Sequence, residues 1–248
     1  MRFAVRTFTL VCALSAAAAS FASGTQENGF RYTDLVIGSG RSSTEGRSVA
    51  SYTGIDLQGS GTVLLTMGST RSISVSADDN LLELVRTDVV GNTLKLGFNQ
   101  GARVRTVAPL VFRVTAPDIQ ELAISGSGDI KGQSVIRADR LSLSIGGSGS
   151  IQAAVAVEEL SVSIRGSGSL DIKGSADTQE VRINGSVNYD GRDLRSANAT
   201  IRVNGSGDSM VSVSRELDVN IAGSGNVTFS GSPKTTIRTS GSGTVRQY

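Results

Sequence analysis

The chain has 248 residues, 38% hydrophobic and 19% charged, with 30 Gly, 3 Pro, 1 Cys and neither His nor Trp. That is apolar enough to bury a core rather than stay disordered. The missing histidine excludes Ser-His-Asp and Cys-His nucleophiles, imidazole metal ligands and imidazole acid–base chemistry near neutral pH.

Residues 1–22 read as a secretory signal. Arg2 and Arg6 precede an apolar run from Phe8 to Ala19, and the small residues Ala22 and Ser23 mark a cleavage site. The run is too short to span a bilayer, and no later stretch is long and apolar enough to do so. Export is therefore expected, to the periplasm, the outer cell surface or the medium. The lone Cys12 lies inside this segment, so the mature chain is predicted to hold no disulfide. Residues 1–22 carry two Arg and no acid, and removing them from 24 Lys+Arg leaves 22 against 22 Asp+Glu. The mature protein is formally neutral, which argues against nucleic-acid binding by bulk charge.

A polar lead at 23–51 comes next, followed at 52–117 by a region of weak repetition. Strands are expected at Gly54 to Leu57, Thr62 to Met67, Ser72 to Ser76, Thr93 to Phe98 and Leu110 to Thr115, where apolar and polar residues alternate. Between them, Asp78-Asp79-Asn80 introduces Leu81 to Val85, a short helix candidate with an Asx cap. This region is expected to cover the open end of the structure that follows.

Residues 118–248 are an internal repeat, continuous with the preceding region as one domain at 52–248. A Gly-Ser pair begins at Gly126, Gly147, Gly166, Gly185, Gly205, Gly223 and Gly241, at spacings of 18 to 21 residues, and an early copy stands at Gly59. Two and four positions before the anchors lie Ile124 and Leu122, Ile145 and Leu143, Ile164 and Val162, Ile183 and Val181, Val203 and Ile201, and Ile221 and Val219. Four positions after them the column reads Ile130, Ile151, Leu170, Tyr189, Ser209, Val227 and Val245, with Ser209 as its break. A unit of this kind cannot bury its apolar face alone; stacked on a copy it forms a continuous aliphatic column. The expected fold is all-β, a single-stranded right-handed parallel β-helix or solenoid with rungs of about 19 residues and an irregular N-terminal cap. Seven rungs at roughly 4.8 Å would make a rod of about 30 to 35 Å. An antiparallel sandwich or barrel with regular hairpins is the rival architecture.

This layout resembles the bacterial head GIN domain family, described as a putative auto-transporter adhesin. The resemblance covers about residues 50 to 246 and rests on Ile55-Asp56-Leu57, Asp79-Asn80-Leu81-Leu82, Gly91-Asn92-Thr93-Leu94-Lys95-Leu96, Ala116-Pro117, and Leu122 through Ile130 with its Gly126-Ser127-Gly128-Asp129 corner. It implies a secreted or envelope β-helical domain of unknown activity that is not an enzyme.

No cofactor is implied by the residues themselves. Gly-Ser-Gly-Asp at Asp129 and Asp208 lacks the recurring carboxylate of calcium repeats, because Ser150, Ser169, Asn226 and Thr244 hold that place elsewhere. A carboxylate enzyme acting on envelope or extracellular polysaccharide is the alternative function. Its candidates are Glu158, Glu159, Asp171, Asp177, Glu180, Asp190 and Asp193, scattered over several rungs. The pattern favours a non-enzymatic binding, adhesin-like or structural module. Three positions before the anchors stand Arg182, Arg202, Asn220 and Arg238, and one position before stand Arg165, Asn184 and Asn204. Stacked, these make an outward Arg/Asn face in which Arg182 and Arg202 repel unless an anion bridges them. These residues read first as an ordinary solvated face; the functional reading beside it takes an anionic polysaccharide or another envelope component as partner. Self-association through the last rung, Thr244 to Tyr248, is a further expectation.

Overall fold

The computed structural model describes residues 34–248; the signal read at 1–22 and its cleavage site lie outside them. The chain runs β1 (Val36–Ile37), β2 (Ser42–Arg47), β3 (Gly54–Gly59), β4 (Thr62–Met67), β5 (Ser72–Asp78), a 3-10 helix (Asp79–Leu84), β6 (Val85–Val90), β7 (Thr93–Phe98), β8 (Val104–Arg105) and β9 (Val111–Ala116). The repeats follow as β10 (Glu121–Gly126), β11 (Asp129–Gly147), β12 (Ser150–Gly166), β13 (Ser169–Gly185), β14 (Asn188–Gly205), β15 (Asp208–Gly223), β16 (Asn226–Ser230), β17 (Lys234–Gly241) and β18 (Thr244–Gln247).

Alternation of aliphatic and polar residues makes each repeat segment a strand with one buried side, and the buried sides meet only if the chain coils. It does so as a parallel β-solenoid. The strands before the Gly-Ser corners pair in the order β7, β3, β10, β11, β12, β13, β14, β15, β17, all parallel. Those after the corners pair as β9, β4, β11, β12, β13, β14, β15, β16, β18, again all parallel. A third side stacks Val135–Ala138 on Ala154–Val157, and Ala176 on Ser196. Nine parallel strands about 4.8 Å apart give a ladder about 40 Å long. The antiparallel rival fails inside the repeats, where every pairing is parallel.

The register is the one the anchors require. Ile124, Ile145, Ile164, Ile183, Val203 and Ile221 pair in succession and are all buried. The break at Ser209 has a packing cause. It lies opposite Tyr189, which is fully buried, so a small residue follows a large one along the column. The Tyr189 hydroxyl donates to Gln179 Oε1 at 2.9 Å, Gln179 Nε2 donates to Ser196 Oγ at 2.7 Å, and Ser196 Oγ donates to the Ser212 carbonyl at 3.0 Å. A polar chain thus crosses three rungs inside the core.

The two glycines of a corner serve different needs. Gly147 has φ +141°, and a Cβ there would stand 2.2 Å from the Gly126 carbonyl oxygen. Gly149 would put its Cβ 2.4 Å from the Gly128 carbonyl oxygen and 2.7 Å from Ile124 Cγ2. The serine between them donates its N–H to the rung below, Ser148 to Gly126 and Ser167 to Gly147, each at 2.9 Å. The early Gly59 belongs to the same column, since it pairs with Gly126.

The region at 52–117 enters the stack out of chain order. Strands β3 and β4 lie directly against β10 and β11, while β7 and β9 lie on the far side of β3 and β4. Antiparallel strands then close this end: β6 on β7, and β5 on β9 with β2 outside it. Residues of the polar lead supply β1 and β2. The helix expected at Leu81 to Val85 is a 3-10 turn at Asp79–Leu84, Val85 starts β6, and the expected Asx cap is absent. The fully buried Asp78 carboxylate instead accepts from the backbone N–H groups of Gly40, Val107 and Ala108 at 2.7 to 3.1 Å. It ties two loops to the cap.

Two predictions follow from the packing and from Asp78. Gly166→Ala puts a Cβ 2.3 Å from the Gly147 carbonyl oxygen at φ +125°, so it destabilises by about 1–3 kcal/mol from backbone strain alone; Ile183→Ala costs about 2–5 kcal/mol. The exposed Ser167→Ala stays near the parent in the same urea melts. At Asp78, burial raises the carboxyl while the three backbone donors lower it, and the donors prevail, so its pKa is depressed. Stability from the ionised form is therefore present above the unfolded pKa and lost as pH falls through the lower folded value, below about pH 4. Asp78→Asn removes that acid-sensitive part, so thermal melts of the variant depend less on pH between about pH 4 and pH 2 than those of the parent.

Candidate functional site

The outward side of the first ladder is built by side chains alternating with the buried aliphatics. The column three before each corner runs Lys95, Asp56, Ala123, Ser144, Ser163, Arg182, Arg202, Asn220, Arg238. The column one before runs Gln58, Ser125, Gly146, Arg165, Asn184, Asn204, Ala222, Ser240 over the same strands. The structure brings together all seven residues read as a face: Arg165, Arg182, Asn184, Arg202, Asn204, Asn220 and Arg238 are exposed on neighbouring strands.

The ends of this face differ in charge. Toward the cap, Asp56 is 6% exposed and saturated, taking Lys95 Nζ at 2.9 Å, Gln58 Nε2 at 3.0 Å and Ser125 Oγ at 3.2 Å. In these two columns two uncharged rungs follow, β10 and β11, and the arginines begin with Arg165 on β12. Asn204 Nδ2 donates to Asn184 Oδ1 at 3.0 Å, which fixes both amides in a ladder along the rod. Similar ladders join Asp208 to Asn226 and Asn226 to Thr244 on the side after the corner.

Glu180 answers the repulsion expected between Arg182 and Arg202. Its Oε1 lies 2.5 Å from a guanidinium nitrogen of each, so the bridging anion is the protein's own. Asp218 pairs with Arg238 at 3.4 Å. Both acids occupy the column five before the corner, in which Glu180, Thr200, Asp218 and Thr236 are successive partners. The sequence offers this signal in the same register as the arginines; Glu180 stands there only among scattered carboxylates. Over β12 to β17 these columns hold four guanidinium groups against two carboxylates, an excess of two positive charges, and Glu121 adds a third acid to the same column on β10. Arg182 and Arg202 remain 49% and 47% exposed, so these pairs orient the groups more than they stabilise the fold.

The other carboxylates are distributed differently. Glu158 and Glu159 line a groove with Asp118, Asp139 and Arg140, and Asp177 lines an adjoining one. Glu158 is exposed, and Glu159 is paired with Arg140 at 3.0 Å. Asp171 lies opposite Asp190, which is held by Arg192 at 2.8 Å; the Arg192 hydrogen bond lowers the Asp190 pKa. No group of three or more metal-ligating side chains occurs among the described residues, and no helix among them is long and apolar enough to cross a membrane.

Comparison with known proteins agrees with this architecture. The sequence matches the family described as "Putative auto-transporter adhesin, head GIN domain" over residues 51–233. The chain belongs to that family. Among solved structures, a putative adhesin from Bacteroides fragilis superposes with a TM-score of 0.80 at 22% identity, covering 86% of this chain and 100% of that one. A putative lipid binding protein from Parabacteroides distasonis gives 0.74 at 23% identity over 87% and 100%. A putative adhesin from Parabacteroides merdae gives 0.66 at 22% identity over 87% and 99%. At these identities the likeness shows the shared fold. No curated protein matches the chain.

The Glu180 bridge yields a prediction. Glu180→Gln frees both Arg182 and Arg202, while Glu216→Gln makes the same charge change on the same side of the ladder at a residue that makes no ion pair among the described residues. On a sulfonate cation exchanger the Glu180 variant elutes at higher salt than the Glu216 variant, and its stability differs from the parent by less than about 1 kcal/mol in urea melts.

Proposed function

We propose that the protein is an exported, non-enzymatic, adhesin-like module of the cell envelope whose Arg/Asn face binds an anionic polysaccharide. The observation that carries this reading is the excess of guanidinium over carboxylate on one exposed strand face, with Glu180 holding Arg182 and Arg202 side by side. A guanidinium anchored on one edge presents its remaining N–H donors in a fixed fork, which suits a carboxylate or sulfate on a polymer. The regular spacing of strands repeats this offer along the rod at about 4.8 Å. An extended polymer can then be held at several weak points, and the sum is avid. The family description and the names of the similar structures fit a binding module at the cell surface. The face has few aromatic platforms for neutral sugars, consistent with 4% aromatic residues in the chain.

Retention on immobilised polygalacturonate, compared with neutral dextran, tests this. The protein should bind polygalacturonate and be released by salt. Arg182→Gln with Arg202→Gln should flatten the dependence of log affinity on log salt by roughly two, about one counterion per lost contact. Equal elution from the two matrices would sink the proposal.

A further inference from the structure

The cap contains a second basic feature, distant in the strand order from the Arg/Asn face. Gly46, Arg47, Ser48 and Val49 from the end of β2, and Arg71, Ser72 and Ile73 from the start of β5, line a pocket of about 390 Å³. Arg47 pairs across the ladder with Ile73, and Glu45 with Val75. Opposed residues in an antiparallel pair share a side of the sheet, and Ile73 and Val75 belong to the core. Arg47 and Glu45 therefore share the Ile73 and Val75 side of the cap sheet, and at the β2 edge this side is open enough to leave their side chains 24% and 51% exposed. Arg47 Nη2 donates to the Leu82 carbonyl at 2.8 Å and contacts Glu45 at 2.9 Å, while its Nε is buried without a partner. Arg71 stands over the ring of the buried Tyr52, 5.9 Å from its centroid, and makes no ion pair among the described residues.

Charge and lining decide the ligand class. Glu45 balances Arg47, and Arg71 is unbalanced, so the pocket has one positive charge to offer. Its volume falls within the range of small-molecule sites and exceeds what a bare oxyanion needs. The half-buried Val49 supplies an apolar wall for the C–H face of a sugar ring, and Ser48 and Ser72 supply hydroxyls. Both guanidinium groups are already held, Arg47 by Leu82 and Glu45, Arg71 by the Tyr52 ring, so little ordering is required on binding.

We infer that this pocket binds a single hexuronate unit, its carboxylate on Arg71 and its ring against Val49. The site is built from β2 and β5, the Arg/Asn face from β12 to β17, so either can fail alone.

Calorimetry on the full chain with D-glucuronate, D-glucose and inorganic phosphate as probes tests the inference. D-glucuronate should bind, with D-glucose and phosphate each at least tenfold weaker. Arg71→Gln should weaken D-glucuronate at least tenfold and Arg71→Lys should retain most of the affinity, while Arg182→Gln with Arg202→Gln should leave it unchanged. Binding of D-glucose as tight as that of D-glucuronate, phosphate as tight as D-glucuronate, an Arg71→Gln variant equal to the parent, or no heat from D-glucuronate would each overturn the assignment.

Discussion

Every feature of this molecule depends on one rung lying in register on the next. A strand of the repeat buries only half its side chains, and its backbone has no partner within its own turn. Stacking answers both needs at once, because Ile145 meets Ile124 and Ile164 inside while the same strand exchanges hydrogen bonds with those neighbours. Register cannot slip by one residue, since that would turn the aliphatic column outward. The corner enforces the same alignment, for Gly126, Gly147, Gly166, Gly185, Gly205, Gly223 and Gly241 pack carbonyl against Cα with no room for a side chain. Function is a by-product of this regularity: whatever stands between the buried positions is displayed as a straight column on the surface.

A stacked coil must finish somewhere, and the chain treats its first end with care. The cap reverses strand direction, so that β6, β5 and β2 cover what a further parallel rung would leave open. Asp78 binds the cap loops through backbone donors instead of a cationic partner, so its contribution to this end is lost in acid. Arg47 and Glu45 place an ion pair at the β2 edge of this cap. At the other end of the described ladder Ile237 continues the Val219 column and is 47% exposed.

How much could be read from residues alone follows from the same physics. The repeats were legible because the solenoid writes its geometry into sequence at a fixed period, and the columns of Arg182, Arg202 and Arg238, and of Asn184 and Asn204, follow directly from the corner glycines. The cap was less legible. Strands β4 and β7 show alternation and appear at the expected bounds, but nothing local tells that β3 and β4 join the stack beside β10 and β11 while β7 and β9 lie beyond them; that order is set by long-range packing. Strand β2 reads Ser-Ser-Thr-Glu-Gly-Arg and carries no apolar pattern, since it covers an edge rather than filling the core. Asp78 next to Asp79 and Asn80 looks like a helix cap, and only the approach of loops from Gly40 and Val107 gives its carboxylate stronger donors. Glu180 was in plain register with the arginines, but a carboxylate's role depends on which neighbours reach it, and side-chain reach is not a property of spacing.

Distances along the rod test the stacking most directly. With Cys12→Ser as background, nitroxide labels on cysteines at Ser144 paired with Arg202, Asn220 or Arg238 lie three, four and five rungs apart in the outward column. Pulsed dipolar spectroscopy should give means of about 14, 19 and 24 Å, rising by one strand spacing per rung. Distances that fail to increase in equal steps, or that reverse between pairs, would contradict the coil on which the fold and the Arg/Asn face stand.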